Sequence, residues 1–196
     1  MSEEKFQADQ MWREWFMTDA KSLEKRQFNS ARHFFQALPH DPRCKFCNAP
    51  FEGLGAVIAR VAFRKERSTL NPQFCNICET FARQFPGGAE VEMSMLFADV
   101  RGSTALSEQM APMDFQRLIN RFYVMATKAI IEEEGLVEKL AGDAVAAFWG
   151  AGFAGPEYVR RTVNAAQNML RVMGRQNIPV GIGVHAGVAF FGAMGT

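Results

Sequence analysis

The chain has 196 residues, 48% of them apolar and 22% charged, which excludes a disordered polar tail and leaves room for one domain with a small module attached. A net charge of +1 gives no reason to expect a nucleic-acid partner. No apolar run reaches the roughly 18–20 residues of a membrane-spanning helix, and the polar start MSEEKFQADQ is no secretory signal, so a cytoplasmic protein is expected.

From Asp9 to Leu38 the chain lacks Gly and Pro, which predicts a helix. Trp12, Trp15 and Phe16 open it, and Phe28, Ala31, Phe35 and Leu38 follow at helical spacing, with Lys21, Lys25, Arg26 and Arg32 between them. Such a helix packs on its own domain, pairs with a second subunit, or lies on a membrane surface; the pattern alone leaves all three open. Pro39 and Pro42 end it. The expected division is a helical segment over 1–42, a cysteine module with a linker over 43–88, and a larger domain over 89–196.

Cys44 and Cys47 form one Cys-x-x-Cys pair and Cys75 and Cys78 another, in a chain without an export signal. That usage favours metal binding over disulfides. Four thiolates can complete a tetrahedral zinc site. Residues 48–74 separate the pairs, more than the 15–20 or so of the common zinc spacing. An iron–sulfur cluster and metal-free redox thiols therefore stay open. Arg60, Arg64, Lys65 and Arg67 lie between the pairs and read either as a solvated face or as a ligand site. Pro86-Gly87-Gly88 reads as a linker.

Beyond it the elements alternate. Met93–Ala98 suits a buried strand, and Pro112 opens a helix that Gly135 stops. Leu136–Leu140 and Val145–Trp149 flank Ala141-Gly142-Asp143-Ala144 as a hairpin. Pro156 opens a second helix, ended by Gly174. Val180–Val184 alternates as a strand, and Val188–Phe191 is a last strand parted from it by Ala186-Gly187. The first six elements follow the ferredoxin-like β-α-β-β-α-β order, so the fold class is α+β.

Asp99 sits where the first strand ends, and Arg101-Gly102-Ser103-Thr104 turns into a helix start able to present N–H groups to a phosphate. Asp143 sits at the hairpin tip. In this topology the first strand lies beside the third, which makes the two carboxylates neighbours. Hard oxygen ligands at such a junction suit two Mg²⁺ or Mn²⁺ ions bridging a triphosphate. Each Asp taken singly is equally at home as a turn residue.

Leu96-Phe97-Ala98-Asp99-Val100-Arg101-Gly102-Ser103-Thr104-Ala105-Leu106-Ser107-Glu108 resembles the first signature of class III adenylate/guanylate cyclases. Lys139-Leu140-Ala141-Gly142-Asp143-Ala144-Val145 resembles the second, and Gly181-Ile182-Gly183-Val184-His185-Ala186-Gly187 the third. The resemblance implies a ferredoxin-like catalytic domain, incomplete here, that makes cyclic AMP and pyrophosphate from ATP. It implies Asp99 and Asp143 as metal carboxylates, with Val100 adding its backbone carbonyl. Gly102, Ser103 and Thr104 fall where the family holds phosphates, and Lys139 falls at the base-selecting position, where lysine favours adenine.

Class III sites form between two catalytic domains, which implies a homodimer. Some bacterial soluble members resemble this chain further in carrying a cysteine module before the catalytic domain. The family continues past a segment like Gly192-Ala193-Met194-Gly195-Thr196 to a second base-selecting residue and an Asn-x-x-x-Arg helix, so this chain is expected to be an inactive, C-terminally truncated fragment. The alternative is a non-catalytic, metal-bearing signalling or dimerisation module with a degenerate cyclase domain. A diguanylate cyclase shares the fold core, but the Gly-Gly-Asp/Glu-Glu-Phe hairpin is missing.

Overall fold

The structure is a computed structural model describing residues 9–13, 23–38, 42–69 and 72–193. By contact density the chain falls into two compact units, Met1–Val91 with Val188–Thr196, and Glu92–Gly187. Among the described residues no helix is long and apolar enough to cross a membrane.

In the first unit the expected opening helix is described over 9–13 and as α1, Leu23–Ala37. Trp15, Phe16, Lys21 and Pro39 lie outside the described residues, as do the side chains of Lys25, Arg26 and Phe28. Trp12 is buried, donates from its indole Nε1 to the Phe85 carbonyl at 3.0 Å, and meets Phe81 and Phe191 edge-on. Phe35 of α1 is fully buried against the cysteines, with Ala31 and Leu38 beside it, so this stripe packs within its own unit. Helix α2 (Gly53–Phe63) buries Gly55, Ala56 and Ala59 and leaves Leu54, Val57 and Val61 exposed. Helix α3 (Asn76–Gln84) follows Cys75, which caps it.

The second unit contains β2, β3 and most of β1 and β4 of a four-stranded sheet in the order β2-β3-β1-β4. The strands are β1 (Gly87–Val100), β2 (Leu136–Ala141), β3 (Ala144–Trp149) and β4 (Val180–Ala193). Strand β3 runs antiparallel to both β1 and β2. This is the strand order of the ferredoxin-like fold, as expected from the element sequence. In β1 the alternation of apolar residues turns Ser94, Leu96, Ala98 and Val100 inward and leaves Phe97 and Asp99 exposed.

Helix α4 (Ser103–Gln109) follows β1. Helix α5 (Pro112–Glu132) starts with Pro in its first turn and buries Leu118, Ile119, Phe122, Ala126, Ala129 and Ile130, a 3–4 repeat that marks one core face. It packs on β2 and on helix α7 (Tyr158–Arg175), whose Thr162, Ala165, Ala166, Met169 and Met173 repeat the pattern. Ser94 donates to Thr162, which donates to the Tyr158 carbonyl, so the buried hydroxyl pair is satisfied. A further short helix, α6 (Ala151–Ala154), fills the β3–α7 connection.

Two expectations are corrected. Gly87 and Gly88, expected in a linker, are the first residues of β1. A side chain on Gly88 would collide with the backbone at Phe191 and Gly192, so here glycine serves close strand approach rather than flexibility. Ala186-Gly187 does not break the last strand: β4 runs unbroken from Val180 to Ala193, because a sheet neighbour supplies the hydrogen bonds that override glycine's weak strand preference.

Candidate active site and cysteine cluster

The β1–β3 register pairs Asp99 with Ala144, one residue past Asp143. The Val100 N–H donates to the Asp143 carbonyl at 3.1 Å and extends the ladder to the hairpin tip. Gly142, at φ +63°, supplies the left-handed residue of that tip. Tyr123 on α5 donates its hydroxyl to the Gly142 carbonyl at 2.7 Å and ties the tip to the helix layer. Strand register and one tyrosine thus hold two carboxylates side by side.

Their proximity is visible in their chemistry. Slight desolvation, then the charge of Asp143 and a hydrogen bond with it, raise the pKa of the exposed Asp99. Burial and the same charge raise Tyr123. A carboxylate whose ionisation is disfavoured by a neighbouring negative charge suits a cation there.

Beside Asp99 a cleft of about 420 Å³ opens on the sheet. Asp99 and Lys139 line it together with apolar surface from Phe97, Ala144 and Ala146. Lys139 reaches this face through an irregularity in β2: Val137 pairs with Ala147, yet Lys139 pairs with Ala146, so Glu138 is the extra residue of a bulge. Gly181 and Gly183 of β4 also line the cleft, and at Gly183 a side chain would find only open space. At Gly181 a side chain would meet that of Arg101, at 3.1 Å from its Nε, so glycine there leaves room for the arginine.

Gly102, at φ +68°, turns the chain into α4. Ser103 and Thr104 form that helix's first turn, whose N–H groups have no acceptor within the helix. These three residues follow the Asp99 strand end but do not line the cleft. Val100 is buried behind the carboxylates. Sequence reasoning missed Tyr123, Ala144 and Ala146 as parts of the site. Tyr123 carries no local signal, since only the packing of α5 brings it to the hairpin.

In the first unit Cys44, Cys47, Cys75 and Cys78 are all buried, and their Sγ atoms lie within 4.8 Å of one another. Cys47 and Cys75 Sγ stand 3.7 Å apart. As bare thiols they share protons unequally: burial raises Cys44, hydrogen bonding to Cys44 raises Cys78, and hydrogen bonds led by that from Cys44 lower Cys75. The four residues predicted as a ligand set therefore do come together.

The sheet is ferredoxin-like, and its paired carboxylates stand beside an open cleft. The sequence profile of the adenylate and guanylate cyclase catalytic domain matches residues 88–196, and the chain belongs to that family, the class III cyclases. An adenylate cyclase of Anabaena cylindrica is 32% identical over 117 residues, covering 53% of this chain and 22% of that protein. An uncharacterized protein of Mycobacterium tuberculosis is 30% identical over 115 residues, covering 56% of this chain and 21% of its own. The chain thus spans about a fifth of the length of these curated relatives.

Among solved structures, a bacterial light-regulated adenylyl cyclase superposes with a TM-score of 0.51 at 22% identity, covering 56% of this chain and 34% of the other. The guanylyl cyclase Cya2 gives 0.50 at 23% identity, covering 56% and 61%. These likenesses bear on the fold.

Proposed function

We propose that the second unit carries half of an adenylate cyclase site, acting in intracellular signalling, at which the ribose 3′-oxygen of ATP attacks the α-phosphorus and pyrophosphate departs. The 3′-hydroxyl proton is lost, a new P–O bond closes the ring, and the bond to the β-phosphate bridging oxygen breaks. The observation that carries the reading is the juxtaposition of Asp99 and Asp143, held by strand register beside a cleft that also receives Lys139.

Asp99, Asp143 and the Val100 carbonyl would hold two Mg²⁺ or Mn²⁺ ions, which when bound supply an acidified 3′-hydroxyl and a neutralised leaving group. The fit rests on the donor set: two hard carboxylates kept close enough to raise the Asp99 pKa. Gly102, Ser103 and Thr104 present backbone N–H groups at the strand end, where the triphosphate would lie. Lys139 donates to adenine N1 from the cleft wall, and Phe97, Ala144 and Ala146 supply apolar surface for the base. A guanine ring carries a donor at that position, so lysine selects against it. A second copy of the chain faces the first across the exposed Phe97 side of the sheet. The four cysteines of the first unit are assigned to zinc, on grounds given below.

The test is Mn²⁺-dependent nucleotide binding by the purified protein. Mn²⁺–ATP is expected to bind, weakly, more tightly than Mn²⁺–GTP, with no measurable cyclic AMP formed by this chain alone, since it carries only half of the site. A preference for GTP, or nucleotide binding unchanged when Mn²⁺ is omitted, overturns the assignment.

A further inference from the structure

We propose that Cys44, Cys47, Cys75 and Cys78 hold one tetrahedral zinc ion rather than an iron–sulfur cluster, and that this ion fastens α1 onto the N-terminal unit. The inference is independent of the cyclase reading.

Distances separate a single metal ion from a cluster, and zinc is the usual occupant of a closed four-cysteine structural site. A tetrahedral zinc–thiolate site with bonds of about 2.3 Å sets neighbouring sulfurs about 3.8 Å apart. Cys47 and Cys75 Sγ lie at 3.7 Å, and no pair in the quartet exceeds 4.8 Å. An iron–sulfur cluster inserts inorganic sulfides between its irons and spreads thiolates on different irons to about 6 Å or more. The quartet has no room for that. Disulfides fit no better, because all four sulfurs converge on one point instead of forming two bonded pairs.

The surrounding backbone is shaped for thiolates. The Cys75 N–H points at Cys44 Sγ at 3.2 Å, and the Cys78 N–H at Cys75 Sγ at 3.5 Å. Cys75 stands at the N-terminus of α3, where helix N–H groups favour negative charge. Lys65 Nζ lies 3.8 Å from Cys75 Sγ, a cation beside a centre that carries two net negative charges once four thiolates bind a divalent ion. Two N–H···O bonds tighten the first turn, Cys44 to Ala49 and Asn48 to Cys44, with Asn48 left-handed at φ +60°. The Lys45 N–H, bonded to the Gln73 carbonyl, joins the two turns.

The same turns anchor α1. Arg32, buried on that helix, donates to the Phe46 carbonyl at 2.6 Å, between two of the ligands. Arg43, beside Cys44, donates to the carbonyls of Phe35 and Leu38 at the helix end. Phe35 itself packs among the cysteines. Beyond them this core holds little more than alanine and partly buried phenylalanine, so it lacks the apolar bulk to stand alone.

The test uses the whole chain purified under reducing conditions. Elemental analysis should find about one zinc per chain, without acid-labile sulfide or visible absorbance. Replacing zinc by Co²⁺ should give the intense sulfur-to-metal charge transfer and far-red bands of a tetrahedral tetrathiolate. Cys78→His should retain a metal while shifting and weakening those bands, and it keeps the test open should Cys78→Ser fail to fold. Zinc removal should expose α1 to limited proteolysis before the second unit is cut. Stoichiometric iron, with or without labile sulfide, overturns the zinc assignment. Four thiols that react freely at once in a chain whose α1 stays protected overturn the site altogether.

Discussion

Replacing Asp99 by Asn should stabilise the metal-free protein and destabilise the metal-loaded protein relative to wild type. The Asp99 pKa is raised by slight desolvation, by the Asp143 charge and by a hydrogen bond with it, so the folded state holds this proton more tightly than the unfolded chain does. Its stabilising contribution is present below the ordinary carboxylate range and lost as pH rises through the folded value. At neutral pH the charge is therefore a penalty, and the amide removes it. Asp99 is exposed, so solvent screens the repulsion to a few tenths of a kcal/mol. In a unit of roughly 100 residues that is a rise of about 1–3 °C. With Mn²⁺ at ten times its dissociation constant, wild type gains about 1.4 kcal/mol, or roughly 6–11 °C, while the variant gains little. The two melting curves should change order between buffer freed of divalent ions and buffer with Mn²⁺. Equal Mn²⁺ stabilisation of both proteins would refute the placement of a cation at Asp99. A less stable variant in metal-free buffer would refute the electrostatic account.

Lys139→Glu should weaken Mn²⁺–ATP binding by about 10- to 100-fold, the worth of a hydrogen bond from a charged group, and leave Mn²⁺ binding alone unchanged. Titration with ATP and GTP reads both, and an unchanged ATP affinity makes Lys139 a solvated strand residue. Tyr123→Phe removes the bond to the Gly142 carbonyl, so it should cost about 1 kcal/mol and loosen the hairpin tip that presents Asp143. Mn²⁺ affinity should fall severalfold with no change in far-UV circular dichroism; full affinity would show that register alone holds the tip.

The parts of the site that sequence reasoning reached are those with local signals. Asp99 ends an apolar run, Gly142 marks a turn, and the element order alone puts the first strand beside the third. Their adjacency then follows from topology. The parts it missed depend on packing. Tyr123 arrives at the hairpin because Phe122 beside it is buried in the core, and nothing near residue 123 announces the hairpin twenty residues later. The bulge that brings Lys139 opposite Ala146 needs the β3 partner to exist. The cysteines were legible as a quartet, but their convergence within 4.8 Å, which separates one ion from a cluster, exists only in the folded unit.

Glycine was the least legible residue, because its two uses leave the same letter. Gly88 reads as a hinge beside Pro86 and Gly87, yet it lies in β1 with its Cα facing the backbone of Phe191 and Gly192. The two uses make opposite predictions for Gly88→Ala. In a linker, alanine restricts the unfolded chain and stabilises the protein by about 0.4–1 kcal/mol. In this strand, an added Cβ meets backbone atoms, which no rotamer change can move aside, so the strands must part at a cost of about 1–3 kcal/mol. Gly174 in α7 is the matched control: a Cβ there touches nothing, and alanine should stabilise the helix by up to about 1 kcal/mol. Urea unfolding of both variants, in backgrounds that keep either Trp12 or Trp149 as the single tryptophan, reads the first and second units separately. Gly174→Ala should move the midpoint up and Gly88→Ala should move it down. If both move up, residues 87–88 behave as a linker, and the close strand approach described for Gly88 does not exist in solution.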